Sequence, residues 1–349
     1  MASGPYLALL AAILFGASTP LAKLLVHEID PWLLAGLLYL GSGIGLALFR
    51  LIRRFVAGAQ HGEGTIQGTE WFWLGGAILS GGVIGPVLLM VGLTRMTGSA
   101  SSLLLNLEGV FTTLIAWFIV KENFDRRIAI GVLCITAGAV LLSWGGSLSL
   151  NGALGPLAIA GACLAWAIDN NLTRKVSLSD ATAIAMLKGS VAGAINVAIA
   201  SAAGATWPTQ SALVGAGLVG FFGYGLSLVL FVMALRQLGA ARTGAYFSTA
   251  PFIGAVVAIA ALGEPLTPKL IAAGALMAAG LWLHLTERHE HMHEHPPMKH
   301  EHRHVHDLHH QHKHLGKEPP SEPHSHFHVH ARVRHGHPHY PDAHHRHSH

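Results

Sequence analysis

The sequence predicts an all-α polytopic membrane fold, and three observations carry it. Hydrophobic residues make up 51% of the 349-residue chain and charged residues 11%, against roughly 25% charged in soluble domains. The apolar residues gather into ten runs of membrane-crossing length. Those runs repeat in two sets of five, which turns the second set upside down relative to the first.

A span needs roughly 20 mostly apolar residues. The runs fall at about 5–26, 31–51, 71–93, 98–119, 127–144, 153–173, 180–203, 212–235, 243–262 and 268–286. Helix is the expected element, because every backbone group inside a bilayer must be satisfied within its own segment. The two-residue alternation of barrel strands is absent. The first run lacks a basic leader and outruns a signal-peptide core, so it reads as a retained span. Connections are short except 52–70, which carries Arg53, Arg54, His61 and Glu63. Trp32, Trp71, Trp73, Trp144 and Trp207 stand at run ends as interfacial anchors. Gly41/Gly45 and Gly81/Gly85 mark close helix packing. Cys134 and Cys163 lie within runs and read as small buried hydrophobes.

Basic residues set the expected orientation. With the N-terminus inside, the inner loops collect ten Lys/Arg, among them Arg50, Arg126, Arg174, Arg236 and Arg242. The outer ends hold only Lys23, Arg95 and Lys269. Both termini are therefore expected on the cytoplasmic side of a cytoplasmic (inner) membrane.

The repeat is visible in the residues. Phe15-Gly16-Ala17 with Leu21 and Lys23 recurs 151 positions on as Trp166-Ala167-Ile168 with Leu172 and Arg174. Arg95 to Ala100 recurs 141 positions on as Arg236 to Ala241, and Glu122 matches Glu264 at 142. The shorter later offset reflects about ten extra residues in the loop at 52–70. Inverted repeats are an architecture of alternating-access carriers, with the substrate site between halves near the midplane.

The body resembles the EamA family of the drug/metabolite transporter superfamily over about 5–286. The telling stretch is Gly98 through Leu107-Glu108-Gly109-Val110-Phe111 to Lys121-Glu122. It occurs again as Gly239 through Ala250-Pro251-Phe252 to Gly263-Glu264-Pro265. Gly109 and Lys121 depart from the family's usual proline and glycine. The resemblance implies ten helices in two five-helix repeats, 1–144 and 153–286, and transport of a small solute.

Polar groups inside spans are costly and mark candidate pathway residues. Asp169 and Asn170 stand late in the sixth run with Asn171 and Arg174. They read either as a polar wall of the cavity or as a helix end meeting cytoplasmic water. Lys188 lies deep in the seventh run, with Asn196 two turns further. It reads as an anchor for a substrate carboxylate or a charge partner of Asp169, or it snorkels. Asn106 and Glu108 sit in the fourth run, and Glu108 is the carboxyl best suited to proton coupling. Trp166 and Tyr224 fall within runs and either touch solute or pack the core. Pro20, Pro86 and Pro251 interrupt spans and free carbonyls.

The tail is chemically distinct. Residues 287–349 hold 23 of the 26 histidines, and Pro319-Pro320 with few apolar groups predict disorder without metal. Its Lys/Arg and Asp/Glu balance, so its charge depends on imidazoles titrating near pH 6.5. His289, His291, His293 and His295 alternate with other residues, as do His300, His302, His304 and His306. The same holds for His324, His326, His328 and His330. This spacing suits binding of zinc, nickel, cobalt or copper.

Nothing resembles a phosphate loop, a nucleophile elbow or a His-Glu-x-x-His pair, so no enzyme activity and no required cofactor is expected. The reading is a secondary carrier of a small organic metabolite, such as an amino acid or drug-like solute, with a metal-chelating tail. Its expected partners are the bilayer, the solute and divalent metal ions, without nucleic acid, as a monomer or homodimer. The alternative is a nickel, cobalt or zinc carrier whose tail loads or senses the ion. A metal-storing sensor anchored by its helices is a third class.

Overall fold

The computed structural model describes residues 4–57, 66, 68–115, 117–118, 126–144, 150–176, 180–285, 290–295, 298–304, 324–330 and 333–338. Among the described residues the body is built of helices joined by short connections. Helix α1 spans Gly4–Leu25 and α2 Pro31–Ala57. Helix α3 (Glu70–Ala77) runs through a π-helical segment, π1 (Ile78–Ile84), into α4 (Gly85–Arg95). Then come α5 (Gly98–Leu104), α6 (Leu107–Ile115) and α7 (Arg126–Ser143). The later body comprises α8 (Leu150–Thr173), α9 (Ala181–Ala202), α10 (Gln210–Val219), π2 (Gly220–Leu226) and α11 (Ser227–Phe247). It closes with α12 (Ala250–Leu262) and α13 (Pro268–Leu285).

Seven helices among the described residues are long and apolar enough to cross a membrane, and they correspond to runs one to three and five to eight. Runs nine and ten are shorter apolar helices, Ala250–Leu262 and Pro268–Leu283. Run four is not one helix. It breaks at Leu105 and Asn106, where Leu105, Asn106 and Glu108 bond back three residues instead of four. The Asn106 amide donates to the Leu103 carbonyl at 2.8 Å, and the Cys163 thiol faces the Leu104 carbonyl at 3.7 Å. The break thus precedes Gly109, where family proline would have put it.

A second departure lies between runs eight and nine. Helix α11 continues through 236–242, where a short connection is expected, and is interrupted at Ser248 and Thr249 instead. Gly239, followed by the helix-favouring Ala240 and Ala241, does not interrupt the helix. The Thr249 hydroxyl turns back to the Tyr246 carbonyl at 2.6 Å, and Pro251, lacking an N–H, fits the first turn of α12.

Helices from the first and second sets of runs meet. Helices α2 and α9 pack through glycine faces: a Cβ at Gly43 would lie 2.8 Å from Gly189 C, and one at Gly36 would lie 2.7 Å from Val197 N. The higher α2 number meets the lower α9 number, so they run antiparallel. Helices α7 and α13 do likewise, Gly138 against Met277 and Gly280 against Gly131. The segments π1 and π2 begin 142 residues apart, the offset that relates Glu122 to Glu264.

Loops fasten the bundle ends. Asp180 caps α9 by accepting from Thr182 N and Ala183 N at 2.9 and 3.1 Å, and it pairs with Arg50 of α2 at 3.0 Å. Glu264 accepts from Gly98 N and Ser99 N at 2.6 and 2.8 Å, joining the two sets at the opposite end. Replacing Asp180 by alanine removes a cap worth about 1 kcal/mol plus an ion pair worth under about 1 kcal/mol. The expected loss of roughly 1–2 kcal/mol is read by denaturant titration of the purified full chain.

Four stretches of the tail are described. Glu290–His295 pairs antiparallel with Val333–Pro338, and Met298–His304 with His324–His330. These stretches are therefore extended and paired, where disorder was the expectation. An every-second-residue histidine pattern has the two-residue period of a strand. His289 and His306 lie outside the described residues, as do 58–65 and 67 of the 52–70 loop.

Candidate functional site

Helix α8 organises the polar centre of the bundle. Its residues Trp166 and Asn170 are one turn apart and share a face, while Asp169 and Thr173 share the adjoining one. The second face meets α9. The Lys188 ammonium reaches both Asp169 oxygens, at 2.6 and 2.7 Å, and the Thr173 hydroxyl at 3.3 Å. Thr173 in turn donates to Asp169 Oδ1 at 2.8 Å. Only 11% of the Lys188 side chain and 7% of Asp169 are exposed. Lys188 is thus a charge partner of Asp169 and does not snorkel.

The first face meets α6. The Asn170 amide donates to Glu108 Oε1 at 2.7 Å, joining the two halves of the chain. Asn170 is exposed and Glu108 half-buried, so this pair is open where Asp169 and Lys188 are closed. Asn106, on the same run as Glu108, belongs to the helix break described above and faces the Met277 sulfur at 3.9 Å.

The π1 segment supplies the wall opposite α8. A π turn shifts the backbone register by one residue and leaves carbonyls without an ordinary helical partner. The Gly81 carbonyl accepts from the Tyr39 hydroxyl at 2.8 Å and from the Trp166 indole N–H at 2.9 Å. The Asn196 amide donates to the Gly82 carbonyl at 3.2 Å, and its own oxygen is buried without a partner among the described residues. Glycine is required at 81 by contact: a Cβ there would fall on the Asp169 carboxyl, and one at Gly85 would lie 2.8 Å from the Trp166 indole nitrogen.

Aromatic rings from both halves complete the centre. Phe15 meets Trp166 edge-on at 6.5 Å and Tyr224 at 6.0 Å, and Tyr224 lies 5.5 Å from Tyr39. Edge-on and tilted pairs at these separations are favourable packings. Phe15 and Trp166 are the two residues the internal repeat equates.

Of the sequence candidates, Glu108, Asp169, Asn170, Lys188, Trp166 and Tyr224 converge on this centre, and Asn106 stands apart. Tyr39, Phe15, Thr173 and the Gly81 carbonyl were not among them. Tyr39 had one sequence signal, being the sole tyrosine of the second run. A carbonyl freed by a π turn has no residue-type signature. The side chain of Arg174 lies outside the described residues.

Residues 2–144 and 153–286 each match the EamA-like transporter family. The chain belongs to that family. It is a multi-pass membrane protein of transporter type. A relative described as an uncharacterized transporter of Methanothermobacter thermautotrophicus is 29% identical over 285 residues, covering 78% of this chain and 83% of that protein. The uncharacterized transporter YyaM of Bacillus subtilis is 25% identical, covering 79% and 93%. A 73-residue stretch is 40% identical to a probable 4-amino-4-deoxy-L-arabinose-phosphoundecaprenol flippase subunit, ArnE, of Pseudomonas fluorescens, covering 21% of this chain and 61% of that protein. A solved crystal structure, described only as that of a protein, shares this fold with a TM-score of 0.60 at 18% identity, covering 81% of this chain and 96% of that one.

Proposed function

We propose that this chain is a secondary carrier of the cytoplasmic membrane. It moves a small organic solute, such as an amino acid or drug-like molecule, by alternating access around the α8 centre. The observation that carries the reading is the Glu108–Asn170 bond, which sets an open polar pair from two halves beside aromatic rings from both. Charged groups at such depth are too costly to keep without a role.

Ten spans in two inverted five-helix repeats form the frame of this reading. The antiparallel contacts of α2 with α9 and α7 with α13, and the matching π segments, support it. Both termini are cytoplasmic, and the ends joined by Arg50 and Asp180 form the basic inner side. Rocking of one repeat against the other exposes the site to each side in turn. Glu108 couples transport to protons, and the histidine tail chelates transition metals outside the bilayer. Among the described residues, no three His, Cys, Asp or Glu side chains stand together as a metal site. The metal-carrier alternative thus draws no support from the spans.

The test is flux in proteoliposomes holding the full chain or a truncation at Thr286. Nickel, cobalt, zinc and an amino-acid panel are offered on each side. Organic-solute flux is expected and should survive truncation, while metal retention is lost with the tail. Metal flux that vanishes with the tail overturns the reading in favour of a metal carrier. Metal retention without flux of any solute points to a sensor.

A further inference from the structure

We infer that the tail closes as a hairpin stapled by divalent transition ions, each held between the two arms by neighbouring pairs of facing histidines. This rests on the chelating tail proposed above and names its ligands.

Both ladders set histidine against histidine. Where Met298–His304 pairs with His324–His330, His300 faces His328, His302 faces His326 and His304 faces His324. Where Glu290–His295 pairs with Val333–Pro338, His291 faces His337 and His293 faces His335. Residues 296–297 intervene on one arm and 331–332 on the other, so both ladders keep one register. A slip of one residue would set His300 and His302 against Phe327 and Ser325.

Positions two apart in a strand share a face, so each ladder collects its facing pairs on one face. Directly opposite residues have Cβ atoms about 4.5–5.5 Å apart, and same-face neighbours along an arm lie about 7 Å apart. Two neighbouring pairs therefore bring four imidazoles within reach of one ion, the number that a closed tetrahedral zinc site takes. What the ladders fix is backbone position, and the ion itself gathers the rings.

Little else would hold the arms together. A lone two-stranded hairpin is marginal in water, and these arms carry few apolar residues. The segment 305–323 that joins them is far longer than the two-residue turns that fix register. Closing it also costs chain entropy. Metal bonds that span the arms offset these costs, as a structural metal does in small folds without a sufficient core. Ligands drawn from one arm alone would leave the facing of histidines without a cause.

The test uses the purified full chain carrying Cys134→Ser, since Cys163 is buried. Nitroxide labels are placed on Arg303→Cys and Ser325→Cys, a facing pair of the ladder. Zinc should broaden the electron paramagnetic resonance spectrum as the labels approach, and a chelator should reverse it. His326→Ala, His328→Ala, His335→Ala and His337→Ala together remove one arm's ligands from both ladders. They should abolish the broadening and weaken zinc binding at least about tenfold, the scale on which even outer-shell partners act. His344→Ala, His345→Ala, His347→Ala and His349→Ala remove as many imidazoles outside the ladders and should change neither.

Zinc bound without broadening overturns the staple, as does broadening that zinc leaves unchanged. Equal losses in the two quadruple variants overturn it too. If Cys134→Ser does not fold, the zinc affinities of those variants in the otherwise unaltered chain decide alone. Failure to bind zinc at all removes the chelating tail as well, while solute flux in proteoliposomes would leave the carrier reading standing.

Discussion

Replacing Lys188 alone by methionine is expected to destabilise the folded protein by about 3–5 kcal/mol, because it leaves the Asp169 carboxylate buried without its partner. Asp169 is 5% exposed, and water cannot take over the role of the ammonium. Thr173 supplies one hydrogen bond, which does not neutralise a charge. The double replacement Asp169→Asn with Lys188→Met is expected to recover most of the loss, since two neutral groups of similar size need no counter-charge. Denaturant titration of the detergent-solubilised full chain measures both. A single variant as stable as the parent would show that Lys188 does not hold Asp169.

The second large effect lies where α2 crosses α9. A Cβ at Gly189 would sit 2.6 Å from Gly43 N and 2.8 Å from Tyr39 O. Both are backbone atoms that cannot rotate away. Gly189→Ala should therefore force the helices apart, at a cost of about 1–3 kcal/mol for overpacking. It should also draw Tyr39 from the Gly81 carbonyl. Gly217 supplies the contrast, with nothing within 4 Å of its added Cβ. Gly217→Ala should be neutral or stabilise by up to about 1 kcal/mol, since alanine favours helix. Melting temperatures of the two variants, measured side by side, check the pair.

What was legible in the chain follows from physics of different range. Span positions come from composition over about 20 residues, and α1 and α8 lie within about three residues of their expected limits while α2 runs on to Ala57. The Asp169–Lys188 pair was open to inference because two opposite charges inside neighbouring spans need each other. Gly81 and Gly85 were readable as packing positions, and both face α8.

Other features depend on distant contacts or on backbone register. The Glu108–Asn170 bond joins residues 62 apart, and nothing local announces it. The break at Leu105–Asn106 has Asn106 turning its amide onto Leu103, in a run whose several Ser, Thr and Asn residues do not single out that position. The π segments change hydrogen-bond spacing without changing residue type, so apolar periodicity passes over them.

The backbone correspondence between the two halves is not matched by their charges. Subtracting the 151-residue offset from Asp169 and Lys188 gives Ser18 and Leu37, and adding 142 to Glu108 gives Ala250. All three ionisable groups of the centre therefore lack an ionisable twin. In the inverted-repeat carrier proposed above, such one-sidedness lifts the degeneracy between the two end conformations. The empty protein would then rest with one mouth favoured, and that bias would be written in Asp169, Lys188 and Glu108.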